Sequence, residues 1–147
     1  MKYFLTIILV VTSNYLLAST ELLYPYELNL IEYKATILSK LQKGSLLKGK
    51  KIIADRKVNC LSCHQAPIPE ERFQGNFGPS LEGIGSRYTK EEIRFRVINS
   101  KLLNPNSIMP SYFVKIKNPR TPSNFLGKTI LNVKEVEDIV EYLYSLK

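Results

Sequence analysis

The feature that most constrains this chain is a pentapeptide in which two closely spaced cysteines are followed at once by a histidine: Cys60-Leu61-Ser62-Cys63-His64. Residues three and four positions apart share one face of a helical turn. Two thiols and one imidazole can therefore point the same way, which suits two thioether bonds to one edge of a porphyrin and a bond from the imidazole to its iron. The motif predicts one covalent haem c held by Cys60 and Cys63, with His64 as an axial ligand.

Other uses of paired cysteines are the alternatives to this interpretation. In an exported protein two cysteines suggest a disulfide, and Cys-x-x-Cys also suggests a thioredoxin-like redox pair, but no strand–helix–strand pattern surrounds this one. Half of a zinc site is a further reading, and the chain has no other cysteine or histidine to complete it. The histidine directly after the second cysteine favours haem.

Counting residues narrows the choice of the second axial ligand. His64 is the only histidine, so two histidines cannot share the iron within this chain. Met1 would leave with a cleaved signal, and Met109 is then the only thioether. Pro110 biases Met109 towards extended backbone, which suits a ligand presented from a loop; a core methionine is the alternative. A His/Met iron has both axial positions filled and a raised potential, which describes an electron carrier.

Two further residues are candidates for contacts around the haem. A ligating imidazole usually donates its outer N–H to a carbonyl or carboxylate, and Gly78-Pro79 lies in a loop that can offer the carbonyl. Arg87 is a candidate partner for a haem propionate, and a solvated surface charge is the alternative. Because the sequence contains no spare cysteine and no evident acid–base constellation, it predicts no catalytic residue.

The amino-terminal residues follow the pattern of a secretory signal. Met1-Lys2 is a short basic start, residues 3–17 are uncharged and apolar, and Ala18-Ser19-Thr20 supplies small residues for cleavage. The apolar run is shorter than a typical membrane span. We expect a signal peptide at 1–20, a periplasmic protein and no stable membrane insertion after cleavage; an uncleaved anchor is the alternative.

The rest of the chain is expected to form an N-terminal extension at 21–44 and a haem-binding domain at 45–147. In the extension, apolar residues recur at spacings of three and four and predict an amphipathic helix: Leu28, Ile31, Ala35, Leu38 and Leu41. A second helix is expected from Ser45 to Val58. Since no segment alternates convincingly as a strand does, the predicted fold class is all-α, with long loops that need something to wrap.

Two later helices carry their own start signals. Thr89 with Glu92, and Asn132 with Glu135, both have the spacing of a capping box. The net charge is +8, which suits an acidic protein partner, although a generally solvated basic surface is the alternative. We expect no nucleic-acid partner, because no nucleic-acid motif accompanies the charge.

Beyond the haem motif, residues 78–87 and Met109-Pro110 resemble the class I cytochrome c plan. In that family the proline that matches Pro79 accepts the hydrogen bond from the haem histidine. The terminal helices of the family cross beside the haem edge. The resemblance implies a class I cytochrome c-like fold, with several helices and long loops wrapped around one covalent haem, here with an N-terminal helical extension.

A narrower resemblance is to the SoxX family, the smaller cytochrome subunits of the SoxAX complexes of bacterial thiosulfate oxidation. It covers the chain from about Leu46 to the carboxyl end, and residues 104–112 are its most discriminating part. The matching segments are Ala54-Asp55-Arg56, Asn59 to His64, Gly75 to Leu81, Arg87-Tyr88, Arg94 to Val97, Asn104 to Tyr112, and Val136 to Val140.

This resemblance implies a heterodimer with a SoxA-like cytochrome subunit. In such a complex, thiosulfate is joined oxidatively to a cysteine of the carrier protein SoxYZ at a haem and modified cysteine of SoxA. The SoxX haem helps to pass the electrons to a downstream cytochrome, so this chain would be a non-catalytic redox subunit. A free class I cytochrome c that shuttles electrons between other partners is the alternative. A haem-based sensor or ligand binder is a third reading, and it requires Met109 to leave the iron.

Overall fold

The computed structural model describes residues 20–39 and 43–147; the expected signal peptide therefore lies almost wholly outside the described residues. The described chain begins with a small antiparallel sheet in the order β1-β2-β3. Its strands are β1 (Thr20–Leu23), β2 (Tyr26–Asn29) and β3 (Lys34–Ile37). The register places Tyr26 opposite Leu23 on one side and opposite Ile37 on the other.

Helices make up most of the regular structure after the sheet: α1 (Leu46–Ala54), α2 (Ile84–Arg87), α3 (Lys90–Asn99) and α4 (Val133–Ser145). α4 packs against α1, α2 and α3, and α3 also packs against β3. α1 approaches α4 closely at Gly49, where a Cβ atom would overlap the carbonyl oxygen of Asp138. Within the described residues, no helix combines the length and the apolar character needed to span a membrane.

The helix starts follow the signals in the sequence. The Ser45 hydroxyl caps α1 by accepting from the N–H of Lys48. The two predicted capping boxes are confirmed, one at the start of α3 and the other at the start of α4. The helix expected from Ser45 to Val58 is shorter, because the backbone of Asp55 is extended and ends α1 at Ala54.

The prediction of a helix in the N-terminal extension is wrong, because this segment forms the strands β1, β2 and β3. In β2 and β3 burial follows the two-residue period of a strand, so Tyr26, Leu28 and Ala35 are buried. Two members of the expected helical stripe, Ile31 and Leu38, are instead more than half exposed. The fold is mostly helical with one small sheet. Leu41, the last member of the stripe, lies outside the described residues.

Asn29 supplies the physical reason for this correction. Its side-chain oxygen accepts hydrogen bonds from the backbone N–H groups of Ile31 (3.0 Å) and Glu32 (2.9 Å). Such a contact turns the chain within a few residues. Tyr33 then adopts a left-handed conformation, with φ 53°, which a continuous right-handed helix cannot contain. The chain therefore reverses between β2 and β3 where a helix would have continued.

The sheet is joined to the helices by a buried ion pair and by aromatic contacts. Arg94 of α3 donates to both carboxylate oxygens of Glu137 in α4 (2.7 and 2.9 Å) and to the carbonyl oxygen of Ala35 in β3 (2.8 Å). The ring of Tyr26 packs edge-on against Phe113, with 5.1 Å between ring centroids. Sheet and helices thus share one core, and Phe113 lies shortly after Met109 in the chain.

Candidate haem site

A cavity lined by residues of α1, α3 and α4 brings together three of the predicted site residues, Cys60, His64 and Met109. Tyr112 also lines it. The remaining walls are aliphatic: Ile53, Val58, Leu81, Val97, Leu131, Ile139 and Leu143. Two sulfur atoms and an imidazole in an otherwise apolar cavity are the donors that a flat apolar macrocycle with a central iron requires. The residues present therefore fit a haem.

The cysteine–histidine motif folds as one tight turn. Residues Cys60–Ser62 form a 3-10 turn, and the N–H groups of Cys63 (3.2 Å) and His64 (3.0 Å) both donate to the carbonyl oxygen of Cys60. Asn59 enters the turn with φ 62° and its side chain accepts from the Ser62 hydroxyl. The cysteines are half-buried and not joined to each other. Cys63 lies in the same turn as the two cavity residues Cys60 and His64.

The environment of Cys60 disfavours the thioredoxin-like redox pair that the two cysteines also suggest. Burial raises the pKa of the Cys60 thiol to about 11, and the nearby Cys63 adds a smaller increase. The hydroxyl of Tyr112 partly offsets this by hydrogen bonding. Reactive thiols of thioredoxin-like pairs have lowered pKa values. Cys60 is instead a half-buried thiol with a raised pKa at the wall of an apolar cavity.

His64 is oriented by the loop that contains Gly78 and Pro79. The Nδ1 atom of His64 lies 2.8 Å from the carbonyl oxygen of Pro79, which leaves Nε2 as the ring nitrogen for a metal. Gly78 allows this approach, because a Cβ atom there would overlap the imidazole ring. The Gly78 N–H also donates to the carbonyl oxygen of Cys63 (2.7 Å). The ring and its acceptor are thus fixed to the same turn.

Arg87 acts on the loop that presents Pro79. Its guanidinium donates to the carbonyl oxygens of Ser80 (2.8 Å) and Glu82 (2.7 Å), just beyond Pro79. The side chain is exposed. The structure therefore gives Arg87 a role in holding this loop, which the sequence did not indicate, and its contact with a propionate stays a prediction.

Met109 is half-buried in the long loop between α3 and α4. Both of its backbone polar groups are engaged by serine side chains: the Ser100 hydroxyl donates to the Met109 carbonyl (2.9 Å), and the Met109 N–H donates to the Ser107 hydroxyl (3.3 Å). Farther along the loop, Tyr112 donates its hydroxyl to the carbonyl of Val58 (3.0 Å). No local period or spacing in the sequence marks the two serines as partners of Met109, or Tyr112 as a residue of the cavity.

The comparisons with known proteins agree with this geometry. A family model for cytochrome c matches residues 46–147. Since that is more than half of the chain, this chain belongs to the cytochrome c family. The class I cytochrome c-like fold expected from the sequence is confirmed, and the cofactor is covalently bound haem c. The chain is a monohaem electron-transfer cytochrome.

Within this family the chain is a SoxX-like cytochrome. It is 30% identical to a chain in the crystal structure of SoxXA from P. pantotrophus, with a TM-score of 0.70. The alignment covers 79% of this chain and 91% of that chain. Residues 46–147 are 102 of 147 residues (102/147 = 69%), so the similarity extends beyond them into the residues that precede the cytochrome c match. Among curated protein sequences, none matches this chain.

Proposed function

We propose that this chain is the electron-transfer subunit of a periplasmic SoxAX-like complex. The observation that carries the proposal is the likeness to a chain of P. pantotrophus SoxXA, which extends past the cytochrome c match into the N-terminal extension. A free carrier that shared only the general cytochrome c plan would align over the cytochrome c domain alone. The shared extension therefore favours a subunit of a SoxXA-type assembly.

Six residues carry the proposed haem site. Cys60 and Cys63 form the thioethers, and His64 and Met109 are the axial ligands. The carbonyl of Pro79 fixes the His64 ring and its tautomer, and Arg87 meets a propionate. The bound haem supplies one-electron chemistry at a potential that the thioether raises. With His64 and Met109 both holding the iron, this chain would offer no open position for a substrate, and we propose that it contributes no catalytic residue.

The proposed partners follow from this role. A SoxA-like cytochrome subunit forms a heterodimer with this chain and carries the catalytic haem and cysteine. A SoxYZ-like carrier is the substrate of the complex, and a downstream cytochrome accepts the electrons. The net charge of +8 is suited to steering by acidic partner surfaces. Residues 1–20 direct export, and the domain boundaries are 21–44 for the extension and 45–147 for the haem domain.

A native purification of the tagged protein from the periplasm, followed by mass spectrometry of intact complexes, tests the proposal. We expect a stable one-to-one complex with a second haem protein, and thiosulfate-dependent reduction of this chain within that complex. A lone chain that carries one haem mass and makes only weak contacts would overturn the proposal and favour a free class I cytochrome c.

A further inference from the structure

The backbone of Met109 is enclosed in a ring of three hydrogen bonds. The Met109 N–H donates to the Ser107 hydroxyl (3.3 Å), the Ser107 hydroxyl donates to the Ser100 hydroxyl (3.3 Å), and the Ser100 hydroxyl returns to the Met109 carbonyl (2.9 Å). We call Ser100 and Ser107 the serine clamp. Each hydroxyl donates one bond and accepts one, so the bonds run in one direction and polarise one another.

The serine clamp is fixed to the end of α3. Ser100 is only 6% exposed, and its carbonyl accepts from the N–H groups of Leu103 (3.1 Å) and Asn104 (3.0 Å) in the 3-10 turn that follows α3. A buried hydroxyl costs free energy unless it is hydrogen-bonded. Ser100 meets this requirement through Met109 and Ser107, which ties the loop to a rigid element.

The residues on either side of Ser100 hold two more points of the same loop. The Ser111 hydroxyl donates to the side-chain oxygen of Asn99 (2.6 Å), and the Lys101 ammonium donates to the carbonyl oxygen of Ser107 (2.8 Å). Three successive residues at the end of α3 therefore hold the loop on both sides of Met109 and at Met109 itself. Such an arrangement restricts where the Met109 backbone can lie.

A methionine ligand needs this restriction more than a histidine does. The thioether is a weak donor to iron, and the methionine side chain has three rotatable bonds. A mobile backbone beneath it would allow the sulfur to leave the iron easily. We propose that Ser100 and Ser107 are positioning residues for the sixth axial ligand, because they fix the backbone from which Met109 reaches the haem. This inference rests on the proposed ligation by Met109.

The test uses the haem-loaded protein and follows the sulfur-to-iron absorption band in the red part of the spectrum. Ser100→Ala removes the donor to the Met109 carbonyl and leaves that acceptor without its partner. We expect the equilibrium constant for release of Met109 to rise roughly tenfold. The band is followed as the pH is raised, and the pH at which half of it has disappeared is the band midpoint. For release coupled to the loss of one proton, a tenfold rise lowers this midpoint by about one pH unit. Carbon monoxide should bind the reduced variant more readily than the wild type.

Two control variants separate positioning from general stability. Ser145→Ala also removes a hydroxyl that donates to a backbone carbonyl, that of Tyr142 (2.6 Å), but at the end of α4; it should leave the band midpoint unchanged. Ser107→Thr keeps the hydroxyl and should keep the wild-type midpoint, whereas Ser107→Ala should lower it. If Ser100→Ala fails to fold, the difference in band midpoint between Ser107→Ala and Ser107→Thr tests whether the hydroxyl positions Met109.

The outcomes are distinguishable from failure of the ligand assignment. If the alanine variants lower the unfolding temperature but leave the band midpoint and carbon monoxide binding at wild-type values, the clamp is structural only and the inference is wrong. If the band is missing from the wild type, or survives Met109→Ala, then Met109 is not the ligand and the proposed site itself is at fault.

Discussion

The two sides of the haem cavity are built in different ways. On the His64 side, the turn of Cys60–Ser62 and the loop with Gly78 and Pro79 are hydrogen-bonded directly to each other, although the contact from His64 to Pro79 spans 15 positions of the chain. On the Met109 side, the loop depends on the end of α3, on a bond from the Leu131 N–H to the Tyr112 carbonyl (2.9 Å) and on the contact between Phe113 and the N-terminal sheet. Two segments that contact each other directly thus orient His64, whereas the loop with Met109 also depends on α3, on Leu131 and on the N-terminal sheet.

The largest effect is expected from removing the attachment on the His64 side. Cys60→Ala combined with Cys63→Ala should abolish covalent haem, because the chain has no other cysteine to form a thioether. Mass spectrometry of the denatured protein measures this directly, and the Cys63→Ala single variant, which keeps one thiol, is the control. Haem mass that remained on the denatured double variant would contradict the assignment of the attachment site.

A smaller but still large effect is expected on the other side. Met109→Ala should leave the haem covalently attached, remove the sulfur-to-iron band and let carbon monoxide bind the reduced protein at neutral pH. The potential should fall by about a tenth of a volt or more, within the roughly 0.8 V that axial ligands span. Ile108→Ala is the control, since its side chain is 69% exposed beside Met109 in the chain. A band that survived Met109→Ala would show that another group ligates the iron.

The same contrast explains what the sequence could predict. Cys60, Cys63 and His64 form a contiguous motif whose chemistry follows from spacing alone. Met109 could be chosen by elimination, because the chain has one histidine and, once Met1 is removed with a signal, one methionine. The capping boxes of α3 and α4 were also predictable, since each joins residues within one turn. Local patterns with few alternatives are therefore the part of this molecule that can be predicted without a structure.

Contacts that form only when the chain folds back on itself, without a recognised motif, are the part that could not be predicted. Leu28 and Ala35 are seven residues apart, which fits a helical face as well as two short strands, and strands of four residues give too little alternation to decide. The local signal for a hairpin was Asn29, because asparagine is a residue type that favours turns. The serine clamp has no sequence signature, because Ser100 and Ser107 meet only after the loop has folded back onto α3.

The buried ion pair between Arg94 and Glu137 joins the helices to the sheet, and its removal should destabilise the whole domain. Arg94→Leu leaves the Glu137 carboxylate buried without its partner and removes the donor to Ala35, so we expect a loss of about 3–5 kcal/mol in the free energy of unfolding. Denaturant titration of the haem-loaded protein measures it. The double variant Arg94→Leu, Glu137→Leu should recover much of this loss, because no buried charge remains unpaired. Equal destabilisation of the single and double variants would contradict this account.

The smallest expected effect comes from the hydroxyl of Tyr26. Tyr26→Phe removes its long bond to the carbonyl of Val133 (3.4 Å) but keeps the ring against Phe113, so the cost at pH 7 should be about 1 kcal/mol or less. Burial raises the pKa of Tyr26 above its usual value. The stability contributed by the neutral hydroxyl is therefore complete below about pH 10 and is lost as the pH rises further. Denaturant titrations at neutral and alkaline pH should show that the phenylalanine variant lacks this loss.

The sulfur-to-iron absorption band of Tyr26→Phe tests whether the end of α3 or the N-terminal sheet controls the position of Met109. If the end of α3 dominates, Tyr26→Phe leaves the temperature at which the band disappears at pH 7 unchanged, whereas Tyr26→Leu, which removes the ring from Phe113, lowers it slightly. If Tyr26→Phe lowered this temperature as much as Ser100→Ala does in the same measurement, the sheet and not the end of α3 would control Met109. In either case the covalent haem and the His64 side should be unaffected, since their hydrogen bonds do not involve Tyr26 or Phe113.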